Sequence, residues 1–129
     1  MTTVLVVDDE EAIRDAVCTV LEDAGFACQQ AANGEEALAV MHASKDPLVV
    51  LLDVMMPRMS GLDLLGIVAV ETGLVGRHTV ILLTALDKNL PLALSRLIDR
   101  LGVLVLGKPF DVDLLVEAVT HAAKRLAGA

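Results

Sequence analysis

Four short apolar runs in this chain each end on a residue capable of metal or phosphate chemistry. Val4 to Val7 stops at Asp8 and Asp9, Leu48 to Leu52 at Asp53, and Val80 to Leu83 at Thr84. The fourth run, Val103 to Leu106, leads through Gly107 to Lys108 and Pro109. If the runs are parallel strands, all four endings lie along one edge of one sheet. In open α/β sheets that carboxyl edge is where ligands bind. Three carboxylates, a hydroxyl and an ammonium, spread over about a hundred residues, then form a single candidate site.

The segments between the runs have a helical period. Ala12, Ile13, Ala16, Val17, Val20 and Leu21 form one stripe, read as the buried face of a first helix. Gly25 stands where a helix end favours a left-handed residue. Phe26 to Ala31 reads as a weaker strand, polar at Gln29 and Gln30 as an edge strand can be. Asn33 or Gly34 opens a second helix, with Glu35 and Glu36 in the turn where negative charge suits the dipole. Leu62 to about Thr72 is expected to be a third helix and Leu90 to Leu101 a fourth. A fifth follows Asp111, with Leu114, Leu115, Ala118, Val119, Ala122 and Leu126 on one face. Strands alternating with helices five times give an α/β fold with a parallel sheet covered on both faces. No linker or repeat divides residues 1–129, so they read as one domain.

The composition narrows the function. The chain is 55 % hydrophobic, yet no uncharged stretch approaches the roughly 20 apolar residues that span a bilayer. The amino terminus lacks a basic region ahead of an apolar one, so it does not read as a signal peptide, and the default location is cytoplasmic. A net charge of −8 disfavours direct nucleic-acid binding, which depends on Lys and Arg neutralising phosphates. Proteins are the expected partners. Cys18 and Cys28 have no metal-ligand spacing and are expected to be small buried hydrophobes. His42, His78 and His121 are read as structural or surface residues.

Singly, each run ending has an ordinary role. Asp8 and Asp9 could cap a helix, Asp53 could start a turn, Thr84 could cap the helix after it, and Lys108-Pro109 could stop a strand. Those roles do not explain why all four endings are of these types. Together they suit a magnesium and phosphoryl site. Two like charges about 4 Å apart at an effective dielectric near 20 repel by about 4 kcal/mol, and a divalent cation relieves that. Magnesium is held by one or two carboxylates, waters and a phosphate oxygen. A carboxylate can also accept a phosphoryl group as an acyl phosphate, with a cation, a Lys and a hydroxyl around the phosphoryl oxygens.

Val7-Asp8-Asp9-Glu10, the segment Leu52-Asp53-Val54-Met55-Met56-Pro57-Arg58-Met59-Ser60-Gly61-Leu62, Thr84-Ala85 and Lys108-Pro109-Phe110 resemble the receiver domain of two-component response regulators, chemotaxis-regulator-like, in order and nearly in spacing. The resemblance implies a flavodoxin-like, doubly wound (βα)5 sandwich with strand order 2-1-3-4-5. It also implies that Asp53 takes a phosphoryl group from a sensor histidine kinase or histidine phosphotransfer protein. Asp9 would be a direct Mg2+ ligand, Asp8 its acidic neighbour, and the main-chain carbonyl of Met55 a further ligand beside Asp53. Thr84 and Lys108 would hold phosphoryl oxygens, Thr84 moving on activation. The peptide before Pro109 is often cis in this family, and an X-Pro bond makes that form inexpensive. Such a domain phosphorylates and dephosphorylates itself but turns over no separate substrate. Its output would be a partner protein or a second copy bound through the fourth helix, fifth strand and fifth helix.

Three positions depart from the pattern. Val105 replaces the Tyr or Phe common three residues before the lysine, so an aromatic switch is not expected there. Met55 and Leu86, two residues beyond Asp53 and Thr84, are apolar and are expected to hinder hydrolysis of the acyl phosphate. Leu97 to Gly102 replaces the usual small-residue approach to the fifth strand, which suggests a longer or shifted fourth helix. An alternative is an atypical receiver acting largely without phosphorylation. A haloacid-dehalogenase-like phosphatase would need an acid where Met55 stands. A flavodoxin-like electron carrier would need a hydroxyl-rich phosphate loop where Asp8-Asp9-Glu10-Glu11 stands.

Overall fold

The computed structural model describes residues 2–53, 77–85, 92–101, 103–108 and 111–127, with the backbone alone for several positions, Thr84 and Lys108 among them. The expected third helix, the lead into the fourth, Met55, Leu86, Pro109 and Phe110 lie outside the described residues. The elements are β1 (Thr3–Val7), α1 (Glu11–Asp23), β2 (Ala27–Ala31), α2 (Gly34–Ala43), β3 (Leu48–Asp53), β4 (Thr79–Ala85), α3 (Leu92–Leu101), β5 (Leu104–Lys108) and α4 (Val112–Ala127). The expected fourth and fifth helices are thus α3 and α4. All strand pairings are parallel, in the order β2-β1-β3-β4-β5. The inferred sheet order is the observed one.

The apolar runs of β1, β3 and β4 are apolar because both of their faces are covered. Leu5, Val7, Val50, Leu52 and Leu82 face a layer built from Ala37 and Met41 of α2, with Ile98 of α3 packed against it. Val4, Val6, Val49, Leu51, Ile81 and Leu83 face Val17 and Leu21 of α1 and Leu115, Val119 and Ala122 of α4. All six residues of β3 are buried, as the central strand of five must be. Each such side chain contributes roughly 1.5–3 kcal/mol of burial.

Two helix faces differ from the sequence reading. In α1 the buried residues are Val17, Cys18 and Leu21, whereas Ala12, Ile13 and Ala16 are exposed. The first turns of α1 lie beyond the cover of the sheet layer, so apolar periodicity there does not mean burial. In α4, Leu115, Val119 and Ala122 are buried but Leu114 is 49 % exposed. Asp111 starts that helix as expected, its Oδ1 accepting the Leu114 N–H at 2.8 Å.

The helix ends explain the connections. Glu36 donates its N–H to Asn33 Oδ1 at 2.9 Å, and Glu36 Oε2 accepts the Ala32 N–H at 2.9 Å. This reciprocal pair caps α2. At the end of α1 the Gly25 N–H reaches Glu22 O and the Phe26 N–H reaches Leu21 O, both at 3.0 Å. With Gly25 at φ 98°, this is a Schellman closure. A Cβ on Gly25 would meet nothing within 4 Å, so the cost of Gly25→Ala is conformational alone. A loss of about 1–2 kcal/mol is expected, read as a lower urea midpoint with an unchanged slope.

The turn at Gly25 brings α1 back along β2, and there the cysteine reading is corrected. Cys18 and Cys28 are not separate thiols but are joined in a disulfide between α1 and β2. Their sequence separation of 10 closes a short loop, a constraint worth roughly 3 kcal/mol in the chain-entropy account.

Candidate functional site

The register puts the acidic groups together. Val7 pairs with Leu52, so the next residues, Asp8 and Asp53, are level on adjacent strands. The Asp8 N–H donates to Ala31 O at 3.2 Å, carrying the β1–β2 pairing one residue past the end of β1. Asp53 closes β3 opposite Leu83. Asp8 and Asp53 are 2 % and 7 % exposed and Asp9 is exposed. One carboxylate oxygen from each of the three lies within 4.8 Å of the others.

Helix capping does not explain the acidic pair. The N-cap of α1 is Glu10, without a side-chain cap bond. Asp8 Oδ1 instead accepts the Glu10 N–H at 2.9 Å, a local turn that fixes its carboxylate ahead of the helix. Arg14 is a feature that sequence reasoning missed. Its Nη1 donates to the Asp8 main-chain oxygen at 2.8 Å and its Nε to Gln30 Oε1 at 3.0 Å. Gln30 Nε2 in turn donates to Asp15 Oδ1 at 3.0 Å. The Asp8 carbonyl belongs to the peptide joining Asp8 to Asp9, so Arg14 fixes the plane that carries both acids. A polar Gln30 on an edge strand was the visible signal, but its partner was not.

Thr84 and Lys108 reach the same edge by backbone position. Thr84 pairs with Gly107 and Ala85 with Lys108, and β4 pairs with β3, so the ends of β4 and then β5 follow that of β3 along the carboxyl edge. Val105, opposite Leu82, is 41 % exposed, so its aliphatic side chain stands open on β5. His78 is buried at the opposite edge of the sheet. His42 and His121 are exposed.

A compact set of carboxylate oxygens is a donor set for a hard divalent cation, and Mg2+ fits it better than a soft thiophilic metal would. The residues present therefore fit the ion that the sequence pattern implies.

Residues 4–120 match the family model described as the response regulator receiver domain. The chain belongs to that family. The receiver is 34 % identical over 133 residues to the transcriptional regulatory protein CpxR homolog of Haemophilus influenzae, covering 98 % of this chain and 52 % of that protein. It is 39 % identical over 122 residues to the DNA-binding transcriptional regulator NtrC of Salmonella typhimurium, covering 92 % of this chain and 24 % of that protein. The receiver thus spans about a quarter to a half of the length of these curated relatives. Among solved structures, a CheY-like receiver domain protein from Methanospirillum hungatei superposes with a TM-score of 0.83 at 30 % identity, covering 99 % of this chain and 98 % of that one. These likenesses establish the flavodoxin-like receiver fold and a place in two-component signalling, where receiver domains act as phosphoacceptors rather than as enzymes with a separate substrate. Among the described residues, no helix is long and apolar enough to cross a membrane.

Proposed function

We propose that this receiver accepts a phosphoryl group on Asp53 from a phosphohistidine of a sensor kinase or phosphotransfer protein, and that the acyl phosphate changes which protein it binds. The supporting observation is the cluster of Asp8, Asp9 and Asp53 at the carboxyl edge, with oxygens within 4.8 Å of one another. Asp8, Asp9, Asp53 and the Met55 main-chain carbonyl would hold Mg2+. When bound, the ion neutralises the carboxylates and the phosphoryl oxygens, so that like charges can meet.

The protein contributes position. Asp53 is fixed at the end of the fully buried strand β3, which leaves its carboxylate little freedom and favours attack in line with the leaving imidazole. An Asp53 oxygen bonds to phosphorus as the phosphorus–nitrogen bond breaks, and the departing nitrogen keeps the electron pair. Asp8 and Asp9 would hold the ion from the neighbouring strand end. Thr84, next to last in β4, and Lys108, the last residue of β5, take two phosphoryl oxygens by hydrogen bond and charge. Loss of the phosphoryl group to water reverses the signal, and the apolar Met55 and Leu86 slow that water. Met55→Asn combined with Leu86→Glu is expected to shorten the phosphoryl lifetime, measured by release of inorganic phosphate. An unchanged lifetime would remove both side chains from that role.

Incubation with acetyl phosphate and Mg2+, followed by peptide mapping in a mass spectrometer, tests the central reading. The mass of one phosphoryl group is expected on the peptide containing Asp53 and on no other. The output surface is proposed to be α3, β5 and α4, where Leu92, Val105, Val112 and Leu114 are exposed. If Asp53→Asn and the phosphorylated parent bind a partner equally well, the receiver works largely without phosphorylation.

A further inference from the structure

We infer that Cys18 and Cys28 form a reversible dithiol–disulfide site that sets how firmly α1 is held on β2 and, through Arg14, how the acidic pair Asp8-Asp9 is oriented. The coupling half of this inference rests on the proposed phosphoryl and Mg2+ reading.

The disulfide and the polar bridge are two rungs of one seam. Arg14 and Cys18 are one turn apart on α1, so they share a helix face. Cys28 and Gln30 are two residues apart on β2, so they share a strand face. One rung is Cys18 to Cys28. The other is Arg14 Nε to Gln30 Oε1, backed by Gln30 Nε2 to Asp15 Oδ1, each at 3.0 Å. Arg14 then carries the seam to the Asp8 carbonyl at 2.8 Å, and the Ala31 carbonyl holds the Asp8 N–H at 3.2 Å. Both peptide groups flanking Asp8 are therefore held by this seam.

Strand β2 needs the help. Among the described residues it is an edge strand paired only with β1, and Gln29 and Gln30 are exposed. Opening the disulfide removes the covalent rung and leaves α1 on β2 to the exposed Arg14–Gln30–Asp15 hydrogen bonds and to the apolar layer that holds Val17 and Leu21. The Arg14 fork then loses a fixed distance to Gln30, and the Asp8–Asp9 peptide loses a fixed plane.

Access is unequal. Cys18 is 5 % exposed while Cys28 is half-buried on the edge strand, so exchange enters at Cys28. A low-molecular-weight disulfide of the glutathione class supplies the oxidant. The Cys28 thiolate attacks one of its sulfurs, forming a mixed disulfide and releasing one glutathione thiolate. The Cys18 thiolate then attacks Cys28 Sγ and displaces the second glutathione. Two protein thiols and one oxidised glutathione become one protein disulfide and two reduced glutathiones, and excess reduced glutathione reverses both steps.

The test equilibrates the full chain in mixtures of reduced and oxidised glutathione, counts thiols by alkylation and mass, and measures Mg2+ affinity by calorimetry. Two thiols are expected to appear and disappear together. The reduced protein and Cys28→Ser are expected to bind Mg2+ about tenfold more weakly than the oxidised parent, the lower end of what losing an orienting partner costs a metal ligand. Arg14→Ala is expected to weaken binding in both states and to abolish the difference between them, whereas Arg14→Lys, which can still reach the Asp8 carbonyl, restores part of the affinity. A purely structural disulfide would lower the melting temperature on reduction and leave Mg2+ affinity alone, and that result overturns the coupling. Thiols that do not interconvert in glutathione overturn the redox site. Oxidised protein that binds no Mg2+ overturns the coupling together with the phosphoryl reading, whereas equal binding in both states overturns the coupling alone.

Discussion

Asp53→Asn is expected to take up no phosphoryl group from acetyl phosphate in Mg2+, where the parent is labelled. An amide cannot supply the carboxylate oxygen that forms the acyl phosphate, so the loss is complete rather than graded. The same substitution leaves two of the three carboxylates that lie within 4.8 Å of one another. Loss of a ligand should cost at least the about tenfold that loss of an orienting partner costs a metal site. Mg2+ should raise the melting temperature of the parent by mass action and raise that of Asp53→Asn much less. Asp9→Asn separates the roles, since it keeps the nucleophile. It should be labelled slowly, with the rate recovering as Mg2+ is raised. A label on another residue, or equal Mg2+ responses in parent and Asp53→Asn, would remove Asp53 from the centre of the site.

The strand endings were legible because two constraints coincide there. A strand buried on both faces must be apolar throughout, as Leu48 to Leu52 is, and the run can stop only where the chain leaves the core. Asp8 and Asp53 mark that point in the sequence, and the parallel register brings them level. Helix faces were less legible. Ile13 and Leu114 fit the apolar period of α1 and α4, yet both are exposed, because periodicity shows which residues share a face and not how far the neighbouring layer extends.

Contacts across the seam were hidden for a different reason. Arg14 to Gln30 and Cys18 to Cys28 depend on how α1 lies against β2, which is set by the turn at Gly25. The turn itself was visible as a glycine at a helix end. Once α1 reverses there into β2, a residue one turn before Leu21 comes beside the second residue of β2, and the ten-residue cysteine spacing acquires a meaning it lacks in the linear chain.

His78 should prove the most costly single polar replacement away from the site. Its Nδ1 accepts the Leu48 N–H at 2.9 Å, which leaves Nε2 as the protonated nitrogen donating to the Met41 carbonyl at 3.1 Å. One neutral imidazole thus ties the start of β3 to the last turns of α2. Next to it, Arg77 Nη2 donates to the Ser44 carbonyl at the end of α2. His78→Ala leaves a buried donor and a buried acceptor without partners, at about 1–3 kcal/mol each, plus the cavity. A total near 4 kcal/mol is expected, seen as a large drop in urea midpoint. Burial chiefly, with the positive charge of Arg77 and the neighbouring His42, pushes the His78 pKa below 6.5, against an opposing pull from the Met41 carbonyl. The unfolded chain therefore takes up a proton that the fold resists. His78's contribution is complete above pH 6.5 and is lost as pH falls through the folded value. The imidazolium cannot accept from Leu48, so protonation breaks the tie. His78→Gln offers one acceptor and one donor without titrating, and should flatten the stability profile between pH 6.5 and the folded value while restoring part of what His78→Ala loses. If the His78→Gln profile in that window is as steep as the parent's, the acid sensitivity belongs to another group. The tie sits at the edge opposite Asp53, so Mg2+ affinity should be the same in His78→Gln and the parent.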